Sequence, residues 1–275
     1  MTDHRKDNSA LTSMQKTIYI LLPLLIYFIV HDAAQLLLTV LFSKCIVKTG
    51  AAYIWFISHT ETASTVIWAV SLVIAASSVI PFIKKDGIIP ADYRMHGAFN
   101  KLRGNTQWGM LILLSASMAL GLNMLLQLTG IAASSEEYTQ TAVRQYGIAI
   151  GLGIALYGIL SPVIEEIIFR GILYNRMKIY FPLKLSIVIS SLLFGVYHQN
   201  IVQGIYAFIM GIVLAAAYEY FDSFTAPVII HVMANCLIYI LSYFRILDTI
   251  CSVPACIVSL FIAAMCVFAF KKMAR

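Results

Sequence analysis

The chain has 275 residues, of which 60% are hydrophobic and only 12% are charged, and its mean hydropathy is +0.85. Soluble globular domains carry roughly twice that share of charged residues, so the composition excludes an ordinary soluble protein and indicates an integral membrane protein. The net charge of +6 is compatible with a nucleic-acid partner. However, the Lys and Arg residues lie in short segments between apolar runs, where membrane orientation accounts for them. We therefore expect the lipid bilayer as a partner and no nucleic acid.

Apolar runs of about 20 residues, the length that crosses a bilayer as a helix, predict about eight transmembrane helices packed in one all-α bundle. The predicted spans are 18–42, 62–82, 107–128, 146–169, 183–198, 201–220, 225–244 and 250–270. The longest polar connection covers residues 83–106, where we expect a short surface helix. The first apolar run lacks a small-residue cleavage site, so this span is expected to be retained.

Lys and Arg residues are distributed unequally between the two sets of connections. With the N-terminus inside, the inner segments hold 15 of the 19 and the outer segments hold four. This bias predicts that both termini lie in the cytoplasm and that the protein resides in the cell membrane. We divide the chain into residues 1–145 with three helices, residues 146–245 with four helices that hold the polar motifs, and residues 246–275 with the last helix.

Two groups of residues are given no catalytic role: a polar group in the first span and the cysteines. A polar group in the first span, His31 and Asp32 with Gln35, is either a pair satisfied against the bundle or a proton or ion site. The cysteines show no CxxC spacing and are expected to pack mainly as small apolar side chains. They are Cys45, Cys236, Cys251, Cys256 and Cys266.

Two adjacent carboxylates and an arginine interrupt the apolar fourth span, at Glu165, Glu166 and Arg170. Charged side chains at bilayer depth are costly, so they are functional candidates by default. Arg170 lies four residues after Glu166 on the same helix face, where the pair would neutralise both charges. Glu165 is turned by about 100° from Glu166 and is left free. The spacing therefore predicts Glu165 as the reactive carboxylate, with Glu166 and Arg170 as buried support. A purely structural ion pair is the alternative.

Two further pairs of polar or aromatic residues are each spaced four apart on a helix. Phe194 and His198 share a face of the fifth span, so the ring is expected to pack below the imidazole. His231 and Asn235 share a face of the seventh span, where an imidazole and an amide can polarise a carbonyl or hold its oxyanion. The alternatives are an interfacial role for His198, and hydrogen bonding between helices for His231 and Asn235.

The order Glu-Glu-x-x-x-Arg, Phe-x-x-x-His and His-x-x-x-Asn on successive membrane helices resembles the CPBP intramembrane proteases. This family includes the type II CAAX prenyl endopeptidases and the bacterial Abi, or bacteriocin-processing, proteins. The resemblance covers about residues 152–239. It implies an endopeptidase in which Glu165 and His198 activate the attacking water. The same resemblance implies that His231 and Asn235 stabilise the oxyanion.

The resemblance leaves two types of enzyme open, a CAAX-type metalloendopeptidase and a glutamate-dependent endopeptidase. Glu165, His198 and His231 would supply three ligands to a divalent metal such as zinc, with a fourth position open. No HExxH motif supports a metal. The implied partner is a hydrophobic peptide or membrane-protein substrate that enters from the lipid or the cytoplasm. A non-catalytic scaffold or immunity protein and a proton-coupled transporter are the alternative functions.

The predicted topology separates two residues of the implied site in depth. His198 falls near the outer end of the fifth span, and His231 falls near the inner end of the seventh, roughly 15 Å away along the membrane normal. A common site therefore requires that the turn after His198 dips into the bilayer or that the fifth to seventh spans tilt strongly.

Overall fold

The computed structural model describes residues 12–46, 50–86 and 105–273, and nearly all of them are helical. In chain order the helices are α1 (Ser13–Ile46), α2 (Gly50–Ser58), α3 (Thr60–Ser78), α4 (Ile80–Asp86), α5 (Asn105–Leu128), α6 (Ile131–Ser134), α7 (Glu136–Tyr146), α8 (Ile150–Tyr180), α9 (Leu183–Tyr197), α10 (Ile201–Phe221), α11 (Thr225–Tyr243), α12 (Ile246–Ile250) and α13 (Val253–Met273). No strand occurs within the described ranges, and the all-α prediction is confirmed.

Seven of the described helical segments are long and apolar enough to cross a membrane: α1, α3 together with α4, α5, α8, α10, α11 and α13. They match seven of the eight predicted spans in order. The remaining predicted span corresponds to α9, which is apolar but has only 15 residues. Its length of about 22 Å is shorter than the hydrocarbon core of roughly 30 Å. The chain is a polytopic membrane protein in which the fifth predicted span is short.

The turn from α9 to α10 is tight because two glycines let the helices meet. A Cβ atom at Gly195 would lie only 2.8 Å from the carbonyl oxygen of Gly204. Between the helices, Gln199 adopts a left-handed backbone with φ 58°, and the Asn200 side chain accepts a hydrogen bond from a backbone N–H in the first turn of α10. This short connection holds His198, directly after α9, against the bundle.

The fourth span, predicted at 146–169 or a little beyond, extends further at its C-terminal end than predicted. Helix α8 continues to Tyr180 because its polar C-terminal residues find buried partners. Arg176 is buried, and its Nε donates to Asp86 at 2.6 Å while another guanidinium nitrogen donates to the backbone oxygen of Tyr19. These contacts join α1, α4 and α8 at one face of the bundle. The short surface helix expected in residues 83–106 falls mostly on residues 87–104, which lie outside the described residues.

A polar helix, α7, lies at the other face. Its first turn is capped by the Ser135 hydroxyl, which accepts a hydrogen bond from the N–H of Tyr138 at 3.2 Å. The Tyr239 hydroxyl of α11 donates to the backbone oxygen of Gln145 at 2.7 Å and ties α7 to the bundle. Because α1, the α3–α4 segment and α5 cross in alternating directions, α7 is on the face opposite the start of α1.

The described cysteines are free thiols, and none is exposed. This agrees with their expected role as small apolar side chains. They are Cys236, Cys251, Cys256 and Cys266.

Candidate active site

The two adjacent glutamates lie on a short α-helical stretch of α8, Ser161–Glu166, between two wider π-helical stretches. These are Ile154–Leu160 before it and Ile167–Tyr174 after it. π-Helical turns are rare and occur frequently at functional sites. The alternation keeps Glu165 and Glu166 in ordinary helical phase, so their side chains leave the helix in different directions.

Glu166 and Arg170 form the buried ion pair that their spacing predicts. Nη1 of Arg170 lies 2.9 Å from Oε1 of Glu166, and the two side chains are 1% and 0% exposed. Nη2 of Arg170 donates to the backbone oxygen of Gly211 at 3.3 Å, and the guanidinium lies 4.4 Å above the centre of the Phe194 ring. The arginine therefore connects α8 with α9 and α10, and its charge is neutralised inside the protein.

His231 contacts both glutamates, one with each ring nitrogen. Nδ1 lies 2.8 Å from Oε1 of Glu166, the same oxygen that Arg170 contacts. Since a carboxylate only accepts hydrogen bonds, Nδ1 carries the hydrogen in this contact. Nε2 lies 3.7 Å from Oε2 of Glu165. The imidazole is thus fixed between two consecutive residues of α8, a contact that the spacing within α8 alone does not indicate.

Glu165 is held by a residue that the sequence analysis missed. The hydroxyl of Ser161 donates to Oε1 of Glu165 at 2.5 Å, and both side chains are buried. The available signal was the four-residue spacing, which places a serine one turn before the carboxylate on the same face. Ser161 and His231 together orient the two oxygens of Glu165.

Phe194 brings the two histidines to one depth. Its ring meets His198 edge-to-face at 5.0 Å, as the spacing predicts, and meets His231 edge-to-face at 5.6 Å. Nδ1 of His198 lies 2.9 Å from the backbone oxygen of Phe194, which leaves Nε2 as the available ring nitrogen. One ring contacts both imidazoles, so the two histidines are not separated by the roughly 15 Å expected from the predicted topology.

Asn235 faces α8, as His231 does. Its Nδ2 donates to the backbone oxygen of Tyr157 at 3.3 Å, and the Tyr157 ring stacks on Trp68 with centroids 5.0 Å apart. His231 and Asn235 therefore share one face of α11, as their four-residue spacing predicts, and this face packs against α8. The amide retains one N–H that this bond does not use.

A cavity of about 690 Å³ reaches this group of residues. Glu165, His198 and Asn235 line it, whereas His231 lies behind Glu165 and is not part of the wall. The His31–Asp32 pair lies at the cavity, with Nδ1 3.0 Å from Oδ1, but Nε2 of His31 is buried without a hydrogen-bond partner among the described residues, so the pair satisfies only one ring nitrogen.

The expected metal ligands do not form a recognisable metal centre. Within residues 12–46, 50–86 and 105–273, no group of three or more His, Cys, Asp or Glu side chains is placed to hold a metal ion. A zinc ion at Glu165, His198 and His231 stays a prediction from the sequence.

Two comparisons with known proteins point to the same class. Residues 148–237 match the sequence model of the family described as Type II CAAX prenyl endopeptidase Rce1-like, and this range contains all three motifs. The Bacillus subtilis (strain 168) protein YdiL, by its name a candidate membrane peptidase, is 24% identical over 179 residues, which cover 64% of this chain and 71% of YdiL. No solved structure matches the chain. Both matches agree with the resemblance carried by the motifs: residues 148–237 are similar to type II CAAX prenyl endopeptidases, and a larger part of the chain is similar to a candidate membrane peptidase.

Proposed function

We propose that the protein is an intramembrane endopeptidase that hydrolyses a peptide bond of a membrane-associated substrate. The observation that carries the proposal is the setting of Glu165. One carboxylate oxygen accepts from Ser161, the other faces Nε2 of His231, and the residue lines a cavity shared with His198 and Asn235. A carboxylate that is oriented by its neighbours and reachable from a cavity is suited to take a proton from water.

The charges of the buried cluster balance when one proton is shared between Glu165 and His231. Glu166 and Arg170 neutralise each other. Nδ1 of His231 donates to Glu166, so a proton on Nε2 produces an imidazolium beside the Glu165 carboxylate. This arrangement has no net charge, which a low-dielectric interior favours over an unpaired carboxylate.

In the proposed reaction, water between Glu165 and His198 loses a proton to Glu165 as its oxygen attacks the scissile carbonyl carbon. The new oxyanion accepts a hydrogen bond from the unused N–H of Asn235, while His231, which lies behind Glu165, supports it through the positive charge of the imidazolium rather than by a direct hydrogen bond. Collapse of the tetrahedral intermediate breaks the C–N bond. The proton taken by Glu165 passes to the leaving amine, and the products are a carboxylic acid and an amine.

The experiment that tests this function compares the peptide termini of membrane-associated proteins in cells. The strains express the wild type, Glu165→Gln or Glu165→Ala, with Glu136→Gln as a control because Glu136 is an exposed carboxylate on α7. Termini that appear with the wild type and the control, but with neither Glu165 variant, support proteolysis. An unchanged set of termini in both Glu165 variants would contradict it and favour the scaffold or transport alternatives.

A further inference from the structure

The cavity opens at the face of the bundle that carries α7. Its exposed lining side chains come from α1, α3, α7 and the turn after α9, and include Asp32, Ser64, Glu137, Gln140 and Gln199. Along α3, α5, α8, α10 and α11, the lining residues are those nearer the end that faces α7. The cavity therefore extends from the α7 face inward to Glu165.

This face is opposite the chain termini. Helix α1 starts, and α13 ends, at the face where Arg176 joins α1, α4 and α8. Apart from the buried Arg170, eight of the described Lys and Arg residues lie at that terminal face and three lie at the α7 face; the eight are Lys16, Lys84, Lys85, Arg176, Lys178, Lys184, Lys271 and Lys272, and the three are Lys44, Arg144 and Arg245. The excess of positive charge marks the terminal face as cytoplasmic, so the cavity opens away from the cytoplasm.

The wall of the cavity is rich in groups that hydrogen-bond to peptides. Amide side chains of five helices and one turn line it between aromatic rings; among them are Gln35, Asn123, Gln140, Gln145, Asn200 and Gln203. Asn123 and Gln140, for example, each donate one hydrogen bond within the protein, and their second N–H remains available to a peptide backbone. A prenyl chain would bury such remaining groups without partners, which is unfavourable for each group left unpaired.

We infer that the substrate is an extended hydrophilic peptide segment, presented on the membrane face that carries α7 and therefore outside the cytoplasm. A prenylated C-terminus would not satisfy the polar side chains of the cavity wall. Presented from the cytoplasm, it would also approach the face opposite the cavity opening. The inference rests on the proposed function and names the substrate class for the same site. It replaces entry from the cytoplasm, which was one of the two routes expected from the sequence beside lateral entry from the lipid.

The side of access is tested without any cleavage assay. In a chain whose five cysteines are replaced, Gln140→Cys on α7 and Lys184→Cys in the first turn of α9 each offer one exposed thiol. Intact cells are treated with a membrane-impermeant maleimide. We expect Gln140→Cys to be labelled directly and Lys184→Cys only after permeabilisation. The reverse pattern would overturn the inference.

The substrate class is tested by mapping where Glu165-dependent cuts occur. Termini lost in Glu165→Gln cells should fall in hydrophilic segments that their own topology places outside the cytoplasm. Glu165-dependent cuts next to a prenylated cysteine, or in cytoplasmic segments, would overturn this inference and leave the proposed endopeptidase intact. If no terminus depends on Glu165, the proposed function itself fails, and the substrate class fails with it.

Discussion

Nδ1 of His231 lies 2.8 Å from Oε1 of Glu166, while Nε2 of the same ring lies 3.7 Å from Oε2 of Glu165. Consecutive residues on a helix point about 100° apart, so one imidazole from α11 fits between them. This contact explains why the motif has two adjacent glutamates. Glu166 orients the histidine through Nδ1 and neutralises Arg170. Glu165 lies beside Nε2 of the same ring and lines the cavity.

The coupling between Glu166 and Arg170 is open to measurement by a double-mutant cycle. Glu166→Gln leaves the Arg170 guanidinium buried without a countercharge, and we expect it to lower the free energy of unfolding by about 3 kcal/mol or more. Arg170→Met should be similarly damaging. The double variant should lose clearly less than the two single losses combined, as measured by denaturant unfolding in detergent. Strict additivity would show that the two residues are not coupled.

Ser161 has a defined effect on Glu165. Ser161→Ala removes the hydrogen bond to Oε1, and bonds to charged groups contribute enough that we expect a roughly ten- to hundredfold lower kcat. KM should change little, because the serine acts through Glu165. The matched control is Ser117→Ala, a buried serine whose hydroxyl donates only within its own helix. Equal effects of the two substitutions on kcat would contradict the role of Ser161.

The close approach of α9 and α10 sets the position of His198. Gly195→Ala places a methyl group against the backbone oxygen of Gly204, and we expect a stability loss of about 1–3 kcal/mol with reduced activity. Gly109→Ala meets no atom within 4 Å on an exposed part of α5, so it should be neutral or slightly stabilising. Thermal unfolding of both purified variants distinguishes the two outcomes. Equal melting temperatures of the two variants would contradict the close approach of α9 and α10 at Gly195.

The proposed reaction uses water, Glu165 and protein hydrogen-bond donors without a metal step. We therefore expect proteolysis to survive chelator treatment. Elemental analysis should find less than one equivalent of any divalent metal in the purified protein, with no difference after His198→Ala. One equivalent of zinc that is lost in His198→Ala, together with activity lost on chelation and restored by zinc, would instead establish the three-ligand site predicted from the sequence.

Several features of the site follow from helical spacing, because residues four apart share a face. The Glu166–Arg170 pair, the Phe194–His198 contact and the common direction of His231 and Asn235 were predicted on this basis. The all-α class followed equally directly from the long apolar runs. Each of these features is determined by the spacing or composition of residues within a single helix.

Contacts between helices could not be predicted in the same way. Spacing along α8 gives no register with α11, so the bond from His231 to Glu166 was missed. The fifth span was predicted at nearly its observed length, 183–198 against Leu183–Tyr197, but it was treated as a full crossing of the bilayer, and this created the apparent difference in depth between His198 and His231. The extension of α8 to Tyr180 was missed for a related reason: Arg176 looks like a loop residue until its partner Asp86 is found on another helix.

The role of Glu165 is the central claim, and the rate of cleavage by purified protein tests it most directly. The substrate is a peptide that spans a cut site mapped in cells, and the variants are Glu165→Gln and the exposed control Glu136→Gln. We predict that Glu165→Gln lowers the rate on the order of a thousandfold while its unfolding midpoint stays near that of the wild type, and that Glu136→Gln cleaves normally. A folded Glu165→Gln protein that cleaves within about tenfold of the wild-type rate, too small a loss for a general base, would contradict the account.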